Sequence, residues 1–308
     1  MPINIVFAAD QNYLKYTAVT LNSLLQNYEG NAALNIYILA DREPALETLQ
    51  AFECMQSVFP FKIEFIVANA GPYKDIKTTS GISEATYYRL NMHNLLPSCC
   101  KKVLYLDSDL LVLDCISKLY DTPMDDLLFK GAQDTISKRY AKKFGIPSKA
   151  RNVNAGVLLI DLVKMREIDF DATCHKYIEK NAKKIFLGDQ QILNSCFYKC
   201  IGYIPYEWNV HGSVFEDGWI EQNAGKLNSF TAKELTQATQ TPSILHYSYR
   251  IKPWDGAAHA KAERWFEYVK GSGFEKALPQ FEDVPLVELS KPRKKQSALK
   301  KFMRWARK

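Results

Sequence analysis

Two carboxylates stand one residue apart at the break between two apolar, β-prone runs, in Val103-Leu104-Tyr105-Leu106-Asp107-Ser108-Asp109-Leu110-Leu111-Val112-Leu113. Side chains on an extended segment alternate faces, so Asp107 and Asp109 are expected to point one way and Ser108 the other. A co-facial carboxylate pair in an apolar setting is costly unless a cation neutralises it. Oxygen ligation of that kind suits Mg²⁺ or Mn²⁺, which keep coordination positions open for substrate phosphates. The spacing therefore points to a metal–diphosphate site.

Other residues carry chemistry only in combination. Asp10-Gln11-Asn12-Tyr13 follows the first apolar run. It reads as a strand-to-helix turn with a capping side chain, or as a carboxylate, an amide and an aromatic face for a pyrimidine. Five histidines, His93, His175, His211, His246 and His259, are scattered and form no ligand cluster by spacing. Lys252-Pro253-Trp254 reads as a turn with a packed indole. A phosphatase with an aspartate nucleophile also ends a strand with Asp-x-Asp, but it needs a second acidic pair downstream. Gly188-Asp189-Gln190-Gln191 supplies a single carboxylate there. A non-catalytic scaffold is the remaining alternative.

The elements that must position these residues alternate. Ile3–Ala9, Leu34–Ala40 and Lys62–Val67 are apolar runs too short for helices, and Phe129–Ala132 and Gly156–Ile160 read likewise as strands. Lys15–Tyr28, with Ala18, Leu21, Leu25 and Tyr28 on one face, Pro44–Gln56 and Glu84–Leu96 read as helices, the last ended by Pro97. Alternation of this kind predicts an α/β fold with a mostly parallel sheet covered on both faces. Ligands of such sheets bind where strands end, and Asp10 and Asp107 both fall at strand ends.

The 308 residues are 47% hydrophobic and 24% charged, an ordinary balance for a chain with a packed core. No run approaches the length of a membrane span, and the first residues carry no basic segment of a secretory signal. Seven cysteines, Cys54, Cys99, Cys100, Cys115, Cys174, Cys196 and Cys200, form no Cys-x-x-Cys pair, which argues against a disulfide framework or structural zinc and for the cytoplasm. The net charge of +6 is concentrated at one end. Residues 291–308 hold nine basic residues and no acid, leaving the first 290 at −3. Within that tail Leu299, Phe302, Met303 and Ala306 share a helical face beside Trp305. A basic amphipathic helix on an anionic membrane is the expectation, with no nucleic-acid partner.

Six blocks, in order, resemble the retaining glycosyltransferases of family 8, particularly the bacterial lipooligosaccharide and lipopolysaccharide α-galactosyltransferases and α-glucosyltransferases. They are Ile5-Val6-Phe7-Ala8-Ala9-Asp10, Thr86-Tyr87-Tyr88-Arg89-Leu90, Leu104–Asp109, Asn154-Ala155-Gly156-Val157-Leu158-Leu159, Asp189-Gln190-Gln191-Ile192-Leu193-Asn194, and His246-Tyr247 with Lys252-Pro253-Trp254. The resemblance implies an A-type, Rossmann-like nucleotide-sugar-binding fold, assigned to residues 1–255; a packing segment at 256–290 and the basic membrane-association tail at 291–308 are expected to follow it. The resemblance also implies a UDP-sugar donor carrying galactose or glucose, a lipid-linked saccharide acceptor, and Mn²⁺ with Mg²⁺ as the alternative, at the inner face of the cytoplasmic membrane.

On the same ground Asp107, Asp109 and His246 are the expected metal ligands. Asp10, Asn12 and Tyr13 are expected at uracil, Ala8 and Ala9 at the nucleoside, and Lys252 at the diphosphate. Arg89, Asn154, Asp189 and Gln190 are expected around the donor sugar, with Thr86, Ser108 and Ala155 completing the donor site. Asp134, Asp189 and Gln190 are the catalytic candidates. Gln190 takes the position on the β-face of the sugar, and because a neutral amide is a poor nucleophile, attack on the same face as the departing UDP is favoured. Tyr249 is expected to offer its N–H to the donor, although the chain departs from the family pattern there, where a glycine is usual three residues after the metal-ligand histidine.

Overall fold

The computed structural model describes residues 1–68, 73, 84–135, 142, 151–226, 230–248, 252–255 and 261–284. Alternation within the apolar runs divides their side chains between two layers. Strands β1 (Ile3–Ala9), β2 (Leu34–Ala40), β3 (Phe61–Val67) and β4 (Lys102–Leu106) lie side by side and parallel. Ile5, Phe7, Ile36, Ile38, Leu104 and Leu106 face one core, shared with helix α1 (Leu14–Gln26). Val6, Tyr37, Leu39, Val103 and Tyr105 face the other, shared with helices α2 (Tyr88–Leu95) and α3 (Gly188–Phe197). Burial on both faces is why these strands read as continuous hydrophobic runs.

Strand β5 (Leu110–Val112) leaves the main sheet, whereas β6 (Phe129–Gln133), β7 (Val153–Asp161) and β8 (Ile201–Tyr203) complete it in the order β3-β2-β1-β4-β7-β6-β8. Strand order therefore reverses direction between β1 and β4, and both strands end at the same edge, which is where ligands of such sheets bind. The expected run of parallel strands is interrupted at β7, which is antiparallel to both β4 and β6. Its first residues consequently lie beside the end of β4, bringing Gly156 next to Asp107. A second, three-stranded sheet is formed by β5, β9 (Val210–His211) and β10 (Ile244–His246), in the order β5-β10-β9.

Helix α1 has a polar side that joins the two sheets. The Thr17 hydroxyl lies 2.8 Å from the Ser108 hydroxyl, and Thr20 Oγ1 donates to the carbonyls of Ser108 and Leu110 at 3.0 and 2.9 Å. Ser23 Oγ accepts the N–H of Val112 at 2.9 Å. These bonds replace the strand partners that β4 and β5 lose where the chain turns from one sheet to the other. Residues 107–109 accordingly form a bend and do not continue the strand.

Residues 261–284 pack against the same helix. Asn22 Nδ2 donates to the carbonyls of Tyr268 and Lys270 at 2.8 and 3.0 Å. Trp265 is fully buried against Trp254, with ring centroids 4.9 Å apart. Among the described residues no helix is long and apolar enough to cross a membrane. Tyr249 and the basic tail at 291–308 lie outside the described residues.

Candidate active site

Asp107 ends β4, Asp109 precedes β5, and His246 ends β10, paired in register with Leu110. Two backbone bonds fix their approach: the Asp107 N–H donates to the Gly156 carbonyl and the Tyr247 N–H to the Asp109 carbonyl, each at 2.9 Å. The bend replaces the pleat that the sequence suggested, yet the carboxylates still converge. His246 Nε2 is 3.3 Å from Asp109 Oδ1 and 3.8 Å from Asp107 Oδ2. One ligand atom from each of the three lies within 4.8 Å of the others.

Gly156 allows that approach. A Cβ there would stand 2.3 Å from His246 Cε1 and 2.9 Å from Asp107 Oδ2.

Two fixed cations flank the carboxylates. Lys252 Nζ bonds Asp109 Oδ2 at 2.6 Å and the Tyr247 carbonyl at 2.8 Å. Burial by itself would raise the Asp109 carboxyl, but the charges of Lys252 and His246 outweigh it and hold it well below the usual carboxylate range. Arg89, on α2 and 5% exposed, lies 2.7 Å from Asp107 Oδ1 and 2.8 Å from Asp189 Oδ2. Its guanidinium carbon sits 4.2 Å from the centre of the Tyr105 ring, whose hydroxyl donates to Asp107 Oδ1 at 3.0 Å. Burial pushes the Asp189 carboxyl up to about 6; Arg89 opposes the rise and Asp107 adds to it. Three carboxylates thus face two fixed cations.

The cleft is lined at this edge by Ala8, Ala9, Asp10, Tyr13, Thr86 and Lys252, together with the Asp-Ser-Asp bend. Asp10 Oδ1 accepts the N–H groups of Asn12 and Tyr13 at 3.0 and 3.2 Å, so this carboxylate also shapes the turn into α1. The Tyr13 ring meets Tyr16 and Trp254 edge-on, while Tyr16 and Trp254 stack at 3.9 Å. Burial, followed by the charge of Asp109, pushes the Tyr13 hydroxyl up to about 12, so it stays protonated. Thr86 Oγ1 donates to Asp189 Oδ1 at 3.2 Å. Asn12 is exposed, and the Ser108 hydroxyl is engaged by Thr17 even though the residue also borders the cleft.

A second polar group lies deeper. Gln190 Nε2 donates to Asp134 Oδ2 at 2.7 Å and Gln190 Oε1 accepts the Ala155 N–H at 3.0 Å. Asn154 Nδ2 is 3.5 Å from the same Asp134 oxygen, while Asn154 Oδ1 accepts from Gly156 N–H and Asn209 Nδ2, both at 2.9 Å. Asn209 Oδ1 is in turn 2.9 Å from His246 Nδ1. The sequence offered no signal for Asn209, an isolated amide outside any motif. Tyr105 carries no sequence signal beyond its place in an apolar strand, and the Thr17–Thr20 row is hidden by the apolar face of its helix.

These residues fit a divalent cation. Asp107, Asp109 and Asp189 together outnumber the two fixed cations, Lys252 and Arg89, by one, and His246 Nε2 faces both Asp107 and Asp109. Two oxygens and a nitrogen are an ordinary donor set for such an ion.

The sequence profile of glycosyl transferase family 8 matches residues 4–258. The chain belongs to that family. Among curated relatives it is 24% identical over 271 residues to general stress protein A of Bacillus subtilis, covering 87% of this chain and 93% of that one. It is 26% identical over 304 residues to the glycosyltransferase GlyF of Streptococcus pneumoniae, covering 96% of this chain and 68% of that one. Its structure is similar to that of the galactosyltransferase LgtC crystallised with donor and acceptor sugar analogues, with a TM-score of 0.75 at 27% identity, over 87% of this chain and 95% of that chain. The shared architecture is the A-type glycosyltransferase fold.

The close approach at Gly156 is directly testable. Gly156→Ala forces a buried methyl against His246 and Asp107, and is expected to cost about 1–3 kcal/mol, the usual range for overpacking. Urea unfolding of the metal-free protein measures it; a variant as stable as the wild type would contradict the contact.

Proposed function

We propose that the protein is a retaining glycosyltransferase that moves galactose or glucose from a UDP-sugar to a glycan acceptor of lipooligosaccharide or lipopolysaccharide type. The observation that carries this reading is the convergence of Asp107, Asp109 and His246, beside Lys252, where β1 and β4 end in a family 8 chain. Asp107, Asp109 and His246 Nε2 would hold Mn²⁺, which supplies positive charge opposite the diphosphate of the departing UDP. The imidazole nitrogen favours Mn²⁺ over Mg²⁺, which prefers oxygen alone.

The remaining roles belong to side chains. Asp10 and Tyr13 offer an acceptor and an aromatic face to uracil, and Lys252 adds charge beside the diphosphate. Arg89 neutralises Asp107 and Asp189 and holds both carboxylates in place. Gln190 has both ends of its amide engaged, by Asp134 and by the Ala155 N–H. It is a positioning group, and an uncharged amide is a poor nucleophile. Attack by the acceptor hydroxyl on the face that UDP leaves is the retaining route this supports, with Asp134 and Asp189 stabilising an oxocarbenium-like transition state.

Incubation with UDP-galactose, UDP-glucose and other nucleotide sugars, with Mn²⁺ or with chelator, tests the reading. UDP release from a UDP-hexose should require Mn²⁺ and fall about 100-fold or more in Asp109→Asn. Full turnover in chelator would overturn the metal reading, and phosphate release from simple monoesters would favour a phosphatase.

Residues 291–308 carry nine positive charges and an apolar face, and fit an interfacial helix that meets a lipid-linked acceptor at an anionic leaflet. Deleting them should abolish salt-sensitive co-sedimentation with anionic vesicles and leave UDP-sugar hydrolysis intact. Vesicle binding that survives the deletion would contradict this role.

A further inference from the structure

The imidazole of His246 presents a lone pair to Asp107 and Asp109 only if its neutral ring carries the proton on Nδ1. We propose that the backbone N–H of Gly156 imposes that tautomer through Asn154 and Asn209, which makes Asn209 a positioning residue for the cation site. The inference rests on the reading of Asp107, Asp109 and His246 as a cation site.

The argument is one of hydrogen-bond parity. A backbone N–H can only donate, and that of Gly156 meets Asn154 Oδ1 at 2.9 Å. This fixes the amide of Asn154 with its oxygen toward Gly156 and its nitrogen toward Asp134, 3.5 Å from the carboxylate oxygen. The same Asn154 oxygen receives Asn209 Nδ2 at 2.9 Å. Asn209 therefore turns its carbonyl oxygen to His246 Nδ1, also at 2.9 Å. A carbonyl oxygen only accepts, so Nδ1 must bear hydrogen. Nε2, on the far side of the ring, is left to face Asp109 Oδ1 and Asp107 Oδ2.

No other orientation of the two amides satisfies the chain. Reversing Asn209 alone would set two amide oxygens 2.9 Å apart. Reversing Asn154 as well would set its NH₂ against the Gly156 N–H and its oxygen against the Asp134 carboxylate. Water does not relieve either arrangement: Asn209 is 0% exposed, His246 2% and Asn154 7%. A buried polar pair left mismatched forfeits the hydration of both groups with nothing in return, which favours this one arrangement of the relay. Partners that hold the second ring nitrogen of a ligating histidine set its tautomer and orientation. In this chain that partner is anchored to the backbone of the glycine beneath the site.

The test uses the full-length protein carrying ¹⁵N-histidine, metal-free and in mildly alkaline buffer. Long-range proton–nitrogen correlation spectra should show hydrogen on Nδ1 of His246 in the wild type. Asn209→Leu, close in size to the amide, should lose that Nδ1 hydrogen and bind Mn²⁺ about 10–100-fold more weakly by titration followed by electron paramagnetic resonance. In a His246→Gln background the same substitution should change Mn²⁺ affinity no further, because Asn209 acts through the ring. A wild-type His246 in the Nε2–H form would overturn the proposal, even if Asn209→Leu failed to fold. So would an Asn209→Leu protein that keeps the Nδ1–H form and wild-type Mn²⁺ affinity. Wild-type protein that binds no Mn²⁺ would defeat the cation reading, and the tautomer would still decide the relay.

Discussion

Three side chains from two sheets must meet at one point, and that requirement governs the rest of the structure. Asp107 is tied to the large sheet through the Gly156 carbonyl, and Asp109 to the small sheet through the Tyr247 N–H. The bend between them is pinned from below by Thr17 and Thr20, hydroxyls one helical turn apart on α1. A helix face with buried hydroxyls is unusual, because such groups must find partners. Here they take over backbone groups of the bend and of β5. The helix that covers the sheet thereby also sets the distance between the two carboxylates.

Charge is arranged around that point in two halves. On one side Lys252 stands against Asp109; on the other Arg89 bridges Asp107 and Asp189 and lies across Tyr105. Arg89 is buried, so losing both carboxylate partners would leave an uncompensated charge, a defect of about 3–5 kcal/mol in comparable buried pairs. The guanidinium thus couples Asp107 at the bend to Asp189 on α3. Asn154 makes a second connection, since its oxygen leads to His246 through Asn209 and its nitrogen leads to Asp134 and Gln190. Two amides, Asn209 and Asn154, thus connect His246 to Asp134 and Gln190.

Much of this was legible in the residues. β1 and β2 lie at Ile3–Ala9 and Leu34–Ala40 as read, because a strand buried on both faces declares itself as a bounded apolar run. The helix read at Lys15–Tyr28 is found at Leu14–Gln26, and that at Glu84–Leu96 is a 3₁₀ turn followed by α2. The Asp-x-Asp spacing, His246 and Lys252 come together as the family resemblance implied. What stayed hidden depends on long-range pairing. The direction of β7 leaves no trace in its own sequence, yet it puts Gly156 against Asp107. Asn209 is separated from Asn154 by 55 positions, and its buried amide has meaning only through its neighbours. Thr17 and Thr20 read as polar interruptions of a helix face until the bend they hold is seen.

The central claim is that Asp107, Asp109 and His246 form one cation site that faces a nucleoside diphosphate. Crystals soaked with Mn²⁺ and UDP, measured at the manganese absorption edge, test it most directly. The account predicts one anomalous peak within bonding distance of a carboxylate oxygen of Asp107, a carboxylate oxygen of Asp109 and Nε2 of His246, with UDP phosphate oxygens completing its coordination and uracil beside Tyr13. UDP bound with no anomalous peak among these three residues, or a peak bonded to His246 through Nδ1, would contradict it.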